Sequence, residues 1–255
     1  MVFTAPVTFS GRIWGRTGCN FDKNGNGSCL TGDCGPSLKC TGTGKTPASL
    51  AEFTLGNLDF YDVSLVDGFN VPISVTPLNG KGNCSVAGCN GDLRQNCPSE
   101  LAVKNNGKVI GCRSACDVFN TDEYCCRGNY GNPSTCQPTF YSKKFKEDCP
   151  TAYSYAYDDP TSIFTCSGTD YVVAFCSSRK KPVCTYHDHK LICSGSKVWH
   201  HLKALLKENF WNRGTGEISA STFQHRLKAH SKGTMEYSPL LHNILETHDT
   251  IQYIT

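Results

Sequence analysis

The sequence predicts a mainly β domain cross-linked by disulfides, with long stapled loops and little helix. Three observations predict it. Seventeen cysteines all fall between Cys19 and Cys193 of the 255 residues, a density typical of disulfide scaffolds. The clearest regular runs are rich in Val, Ile, Phe and Tyr, which favour a pleated, half-buried surface. Between them lie stretches of Gly, Asn, Thr and Pro that read as turns and loops.

Taken in order, residues 11–50 read as stapled loops punctuated by Cys19, Cys29, Cys34 and Cys40. Asn24-Gly25 and Asn26-Gly27 mark tight turns there, because glycine tolerates positive φ. Leu58–Val66 reads as a strand, Asp67-Gly68 as a turn, and Phe69–Val75 as the returning strand. Short helices are predicted at Thr121–Cys126 and Thr139–Cys149, each tied down by flanking cysteines, with Pro138 just before the second. Tyr171–Phe175 is a further strand. Beyond Ser196 the composition changes: cysteine stops and six of the eight His appear. Val198, Leu202, Leu205, Leu206 and Phe210 approach helical spacing, so residues 196–255 form a tail of unknown fold, either helical over 197–211 or accidentally patterned.

Composition excludes several functions. A net charge of +3 argues against a general nucleic-acid binder, which needs a concentrated basic face. No apolar run reaches the roughly 18–20 residues of a membrane span. The cysteine usage belongs to an oxidising compartment. Zinc is a poor reading, since Cys125 and Cys126 are adjacent and no paired CxxC motifs with His partners occur. The pairs His187/His189 and His200/His201 read as solvated rather than ligating. No metal and no cofactor is predicted. Asn26-Gly-Ser28 and Asn83-Cys-Ser85 match the glycosylation sequon, which matters only on secretion. Residues 1–10 show neither a basic start nor a sustained apolar stretch, so no signal peptide is recognised, and together with the cysteines this reads as a truncated chain.

One segment carries candidate chemistry. Between Lys45 and Lys81 there is no Lys or Arg, yet Glu52, Asp59, Asp62 and Asp67 occur among strand-forming residues. Clustered carboxylates raise one another's pKa, so one can stay protonated while its neighbour is ionised, as glycosidases require. The alternatives are outward-facing solvated carboxylates, or a carbohydrate- or cation-binding patch.

The motifs Gly11-Arg-Ile-Trp-Gly-Arg-Thr-Gly-Cys-Asn-Phe-Asp22, Gly25–Cys34, Leu50-Ala-Glu-Phe53 and Asp62-Val-Ser-Leu-Val-Asp-Gly-Phe-Asn-Val-Pro72 continue with Thr121–Cys126, Cys149–Tyr155 and Phe164–Tyr171. Together they resemble the plant thaumatin-like (pathogenesis-related group five) family, from about Ser10 to Cys176. The resemblance implies a β-sandwich core with a disulfide-rich lobe of loops and short helices, an acidic cleft between them, and the opening strands missing. It divides the chain into a partial domain over 1–195, with a family-type extension at 177–195, and the tail 196–255. It implies a secreted, apoplastic defence protein, antifungal and monomeric, whose partner is β-1,3-glucan or fungal wall polysaccharide and whose enzyme activity is at most a weak endo-β-1,3-glucanase.

By motif the cleft residues fall on Arg12, Glu52, Asp62, Asp67 and Asp158. Glu52 is the implied proton donor and Asp67 the nucleophile or water-activating base. The implied disulfides are Cys19–Cys29, Cys34–Cys40, Cys84–Cys166, Cys89–Cys149, Cys97–Cys112, Cys116–Cys125, Cys126–Cys136 and, as an extra clip, Cys184–Cys193. No partner is assigned to Cys176, leaving it unpaired in this expectation, because its family counterpart lies in the missing N-terminal stretch. Two local departures are Gly35–Cys40, where the family has a second Gly or a Gln, and a shortened segment after Leu55. The competing reading is a truncated or mis-spliced product, non-enzymatic and poorly folded, with a bared sheet edge.

Overall fold

A computed structural model describes residues 4–177 and the backbone of strands at 184–187, 190–193 and 250–254. In chain order the main strands are β1 (Ser10–Arg16), β2 (Leu50–Thr54), β3 (Asp59–Ser64), β4 (Ile73–Leu78), β5 (Ala87–Gly88), β6 (Ala102–Asn105) and β7 (Lys108–Cys112). They continue as β8 (Phe164–Cys166), β9 (Asp170–Phe175), β10 (Cys184–His187), β11 (Lys190–Cys193) and β12 (Thr250–Ile254). Among the described residues the α-helices are α1 (Ala115–Phe119), α2 (Asp122–Cys125), α3 (Phe140–Asp148) and α4 (Asp159–Ser162). Residues 197–211 and the pair His200/His201 lie outside the described residues, as do Asp188, His189 and the side chains of Cys184 and Cys193. The backbone register sets Cys184 opposite Cys193.

A five-stranded sheet runs β8-β3-β2-β1-β12, and a three-stranded sheet runs β9-β4-β5. One apolar core draws Ala51, Phe53, Tyr61 and Val63 from the first sheet and Ile73, Val75 and Ala87 from the second. Strand side chains alternate between faces, so burying these residues turns Glu52 and Asp62 to the other face of the first sheet. One end of that outer face is roofed by a second cluster of Trp14, Cys34, Ala48 and Leu50. Trp14 Nε1 donates to the Gly32 carbonyl at 2.9 Å, fixing the covering loop.

The region read as stapled loops over 11–50 contains a central strand, β1. Gly11 and Gly15 obscure it in the sequence; Gly15 lies beside Phe175 and Val71, where an added Cβ would make ordinary contacts at 3.4 and 3.5 Å. The returning strand begins at Ile73 rather than Phe69. Phe69 instead exchanges backbone hydrogen bonds with Cys112, both at 2.7 Å, and Pro72 has no N–H for a ladder. The turn at Asp67-Gly68 forms, with Gly68 at φ +89°, where an added Cβ would meet the Cys112 carbonyl at 2.7 Å.

The edge of β1 away from β2 is not bare. β12 pairs with it antiparallel, setting Ile254 opposite Arg12 and Thr250 opposite Arg16.

The predicted helices form with their threonines outside them as N-caps. Thr121 accepts from the Tyr124 N–H and Thr139 from the Ser142 N–H. Ser114 caps α1 in the same way, satisfying donors that a short helix otherwise leaves orphaned. Among the described residues seven disulfides are formed: Cys19–Cys29, Cys34–Cys40, Cys84–Cys166, Cys89–Cys149, Cys97–Cys112, Cys116–Cys125 and Cys126–Cys136. Cys89–Cys149 ties the strand region to the end of α3 across 60 residues, a closure of about 4 kcal/mol in the chain-entropy account.

Asn70 is fully buried and joins three segments. Its Nδ2 donates to the Gly15 carbonyl and Thr31 Oγ1, while its Oδ1 accepts from the N–H groups of Ser49 and Val71. Asn70→Ala is expected to cost about 3 kcal/mol, because buried partners lose their hydrogen bonds together; urea unfolding without reductant measures it. Removing residues 250–255 is expected to shift the protein towards dimers and larger species in size-exclusion chromatography, since the β1 edge loses its pairing strand.

Candidate functional site

The acidic site is written by strand register. Arg12 on β1 stands opposite Glu52 on β2, and Glu52 stands opposite Asp62 on β3. Directly opposed residues share a face with Cβ atoms about 5 Å apart, so the three form one row across the sheet. Trp14, Leu50 and Ser64 form the next row on one side, and Ser10, Thr54 and Phe60 the next on the other. The Asp67 turn brings a further carboxylate to the same place.

Arg12 bridges two acids. Its Nε lies 3.5 Å from Glu52 Oε1 and its Nη1 lies 3.6 Å from Asp67 Oδ2. The Arg12 and Asp67 side chains are 41% exposed and Glu52 is 33% exposed, so each pair contributes ~1 kcal/mol or less to stability. Their role is placement. Burial pushes the Glu52 carboxyl up, Arg12 pulls it back, and the Asp67 charge pushes it up again.

Asp62 is different. Its Oδ1 is shut off from solvent with no hydrogen-bond partner. Burial first, then the Glu52 charge, push its pKa up to about 8; Arg12 pulls it down by less, and Asp159 adds the smallest upward push. A carboxylate with one oxygen cut off from water and from donors is costly to ionise.

The structure gathers Arg12, Glu52, Asp62 and Asp67, and it occupies Asp158 elsewhere. Asp158 is buried and its Oδ2 accepts from Lys146 Nζ at 2.7 Å and from the Ser154 N–H and hydroxyl. Its Oδ1 accepts from Thr161 Oγ1 at 3.0 Å. Lys146 also donates to the Ala152 carbonyl and Ser162 Oγ. Asp158 therefore anchors the loop before α4, with its oxygens turned to Lys146 and that loop. Its exposed neighbour Asp159, which the sequence motif did not single out, accepts from Tyr153 Oη at 2.8 Å and is the acid of this pair whose charge bears on Asp62. Adjacent aspartates cannot be told apart by motif; only the partner of Lys146 separates them.

Asp59, part of the same acidic segment, also lies elsewhere. It is buried, accepting from Tyr171 Oη and from the Gly56 N–H, both at 2.9 Å. Alternation sends it to the face opposite Asp62. Among the described residues no group of three or more His, Cys, Asp or Glu is arranged to hold a metal ion.

The Thaumatin family model matches residues 1–177. The chain belongs to the thaumatin family. It is 61% identical over 176 residues to pathogenesis-related thaumatin-like protein 3.5 of Cryptomeria japonica, covering 69% of this chain and 73% of that one. A thaumatin-like protein of Arabidopsis thaliana is 61% identical, over 67% of this chain and 72% of its own. Pathogenesis-related protein 5 of Arabidopsis thaliana is 58% identical, over 68% and 73%. Among solved structures, the thaumatin-like xylanase inhibitor TLXI is similar at 23% identity and a TM-score of 0.37, over 69% of this chain and 77% of its own. Among the described residues no helix is long and apolar enough to cross a membrane.

The raised Asp62 pKa has a direct consequence for this family member's stability. The folded state holds a proton that the unfolded chain releases near pH 4, so its contribution is complete below about pH 4 and is lost as pH rises towards 8. Asp62→Asn is therefore expected to raise Tm at pH 8 by several degrees more than at pH 4. Scanning calorimetry at the two pH values measures the difference.

Proposed function

We propose that this thaumatin-family protein is a secreted plant defence protein that binds β-1,3-glucan or fungal wall polysaccharide through the Arg12–Glu52–Asp62–Asp67 site. The observation that carries the reading is the single row of charged groups on a rigid sheet, with Asp67 closing over Arg12. A sugar hydroxyl both donates and accepts hydrogen bonds, so a surface offering carboxylate acceptors beside a guanidinium donor suits it. Relatives named as pathogenesis-related thaumatin-like proteins support the defence role. Seven disulfides among the described residues support an oxidising, extracellular destination. The shared core of two sheets favours a folded binder over a poorly folded truncated product.

The same site contains the paired acids that weak endo-β-1,3-glucanase activity needs. Family resemblance gives Glu52 the proton-donor role and Asp67 that of nucleophile or water-activating base. Binding does not require that activity.

Two measurements test these levels separately. The oxidised protein is expected to be retained on insoluble β-1,3-glucan, and Arg12→Gln to weaken that retention about tenfold. Absence of retention by the wild-type protein removes the binding reading. If reducing sugar is released from the glucan, Glu52→Gln is expected to abolish the release with Tm nearly unchanged; undiminished release would take Glu52 out of the donor role.

A further inference from the structure

The geometry assigns a proton to Asp62: at neutral pH this side chain is a neutral carboxylic acid that donates a hydrogen bond to a bound sugar oxygen, while Glu52 and Asp67 pair with Arg12. The assignment deepens the glucan-binding reading and, as a statement about ligand recognition, rests on it.

Three observations converge. The first is a shortage of cations in the row. Arg12 is the cation paired with Glu52 and with Asp67, and it stands two strands away from Asp62. Neighbouring strands are about 4.8 Å apart, which puts about 10 Å of sheet between the Arg12 and Asp62 backbones, with Glu52 between them. The charge nearest to Asp62 in the row is therefore negative.

The second observation is the orphaned oxygen. Asp62 Oδ1 has neither solvent nor a donor, which suits a protonated acid far better than an anion. The third is what faces Asp62 from every packed element. Glu52 approaches from β2 and Asp159 from α4, both negative, while Arg12 on β1 acts against them. Tyr153 lies along the other side of β3, where its N–H donates to the Val63 carbonyl. Its hydroxyl is spent on Asp159, leaving no donor there for Asp62. Burial raises the Tyr153 pKa further, so that phenol supplies no proton in the working range.

A neutral Asp62 makes the site asymmetric: an acid that donates at one end, and carboxyl acceptors paired with a guanidinium at the other. Ionising Asp62 replaces the donor by a second uncompensated negative charge and removes its hydrogen bond to the sugar. Recognition of a neutral glucan is then tuned by pH through Asp62.

The test is a carboxyl 13C NMR titration of the free oxidised protein, with the Asp62 resonance assigned by its loss in Asp62→Asn. A midpoint above about 7 is expected, against about 3.9 for an ordinary aspartate; a midpoint at or below about 7 overturns the assignment. In parallel, retention on insoluble β-1,3-glucan is followed from pH 5 to pH 9. Wild-type retention is expected to fall at least threefold through the Asp62 midpoint, and Asp62→Asn, which cannot ionise there, to lose that pH dependence. Identical pH profiles for the two proteins overturn the recognition role. The titration needs no glucan, so absence of binding at every pH would defeat the glucan reading while leaving the proton assignment to its own measurement.

Discussion

The register of β1, β2 and β3 is the constraint on which the rest of this structure depends. Ala51, Phe53, Tyr61 and Val63 occupy one face of the sheet and lie in the main core, while Trp14 and Leu50 are buried on the other. With both faces committed, a slip of one residue would expose large apolar groups on one side and bury Glu52 or Asp62 in the other. The row Arg12–Glu52–Asp62 is thus held by hydrophobic burial two residues away, with little help from its own exposed ion pairs.

That constraint also explains the electrostatics. A rigid sheet prevents the carboxyl groups from moving apart, and the local shortage of cations prevents them from being neutralised one by one. The arrangement relaxes by protonation at Asp62, the acid two strands away from Arg12. Elsewhere the chain meets the same problem differently. Asp158 is buried too, but Lys146 and three further donors surround it, which makes it a structural anchor.

The loops around the sheet owe their order to covalent ties and to single buried polar groups. Cys116–Cys125 joins α1 to α2 and Cys126–Cys136 holds the following loop, helices too short to persist unaided. Asn70 links β1 to the loops bearing Thr31 and Ser49, so the Asp67 turn beside it inherits a fixed position.

Much of this was legible in the chain. The run Leu58–Val66, the Asp67-Gly68 turn and the helix beginning after Thr139 follow from local chemistry, which short segments express by themselves. β1 was obscured, because Gly11 and Gly15 weaken a strand signal. The sequence by itself determined which segments become strands, which carboxylates are candidates and that the cysteines act as cross-links. Only the tertiary structure decided that Asp62 shares a row with Glu52 while Asp59 does not, that Lys146 takes Asp158 and leaves Asp159 outside, and that β12 covers the β1 edge. Periodicity tells a side chain which face to take; neighbours, donors and exclusion of water come from residues far away in the chain, and these set the charge state on which the site's chemistry turns.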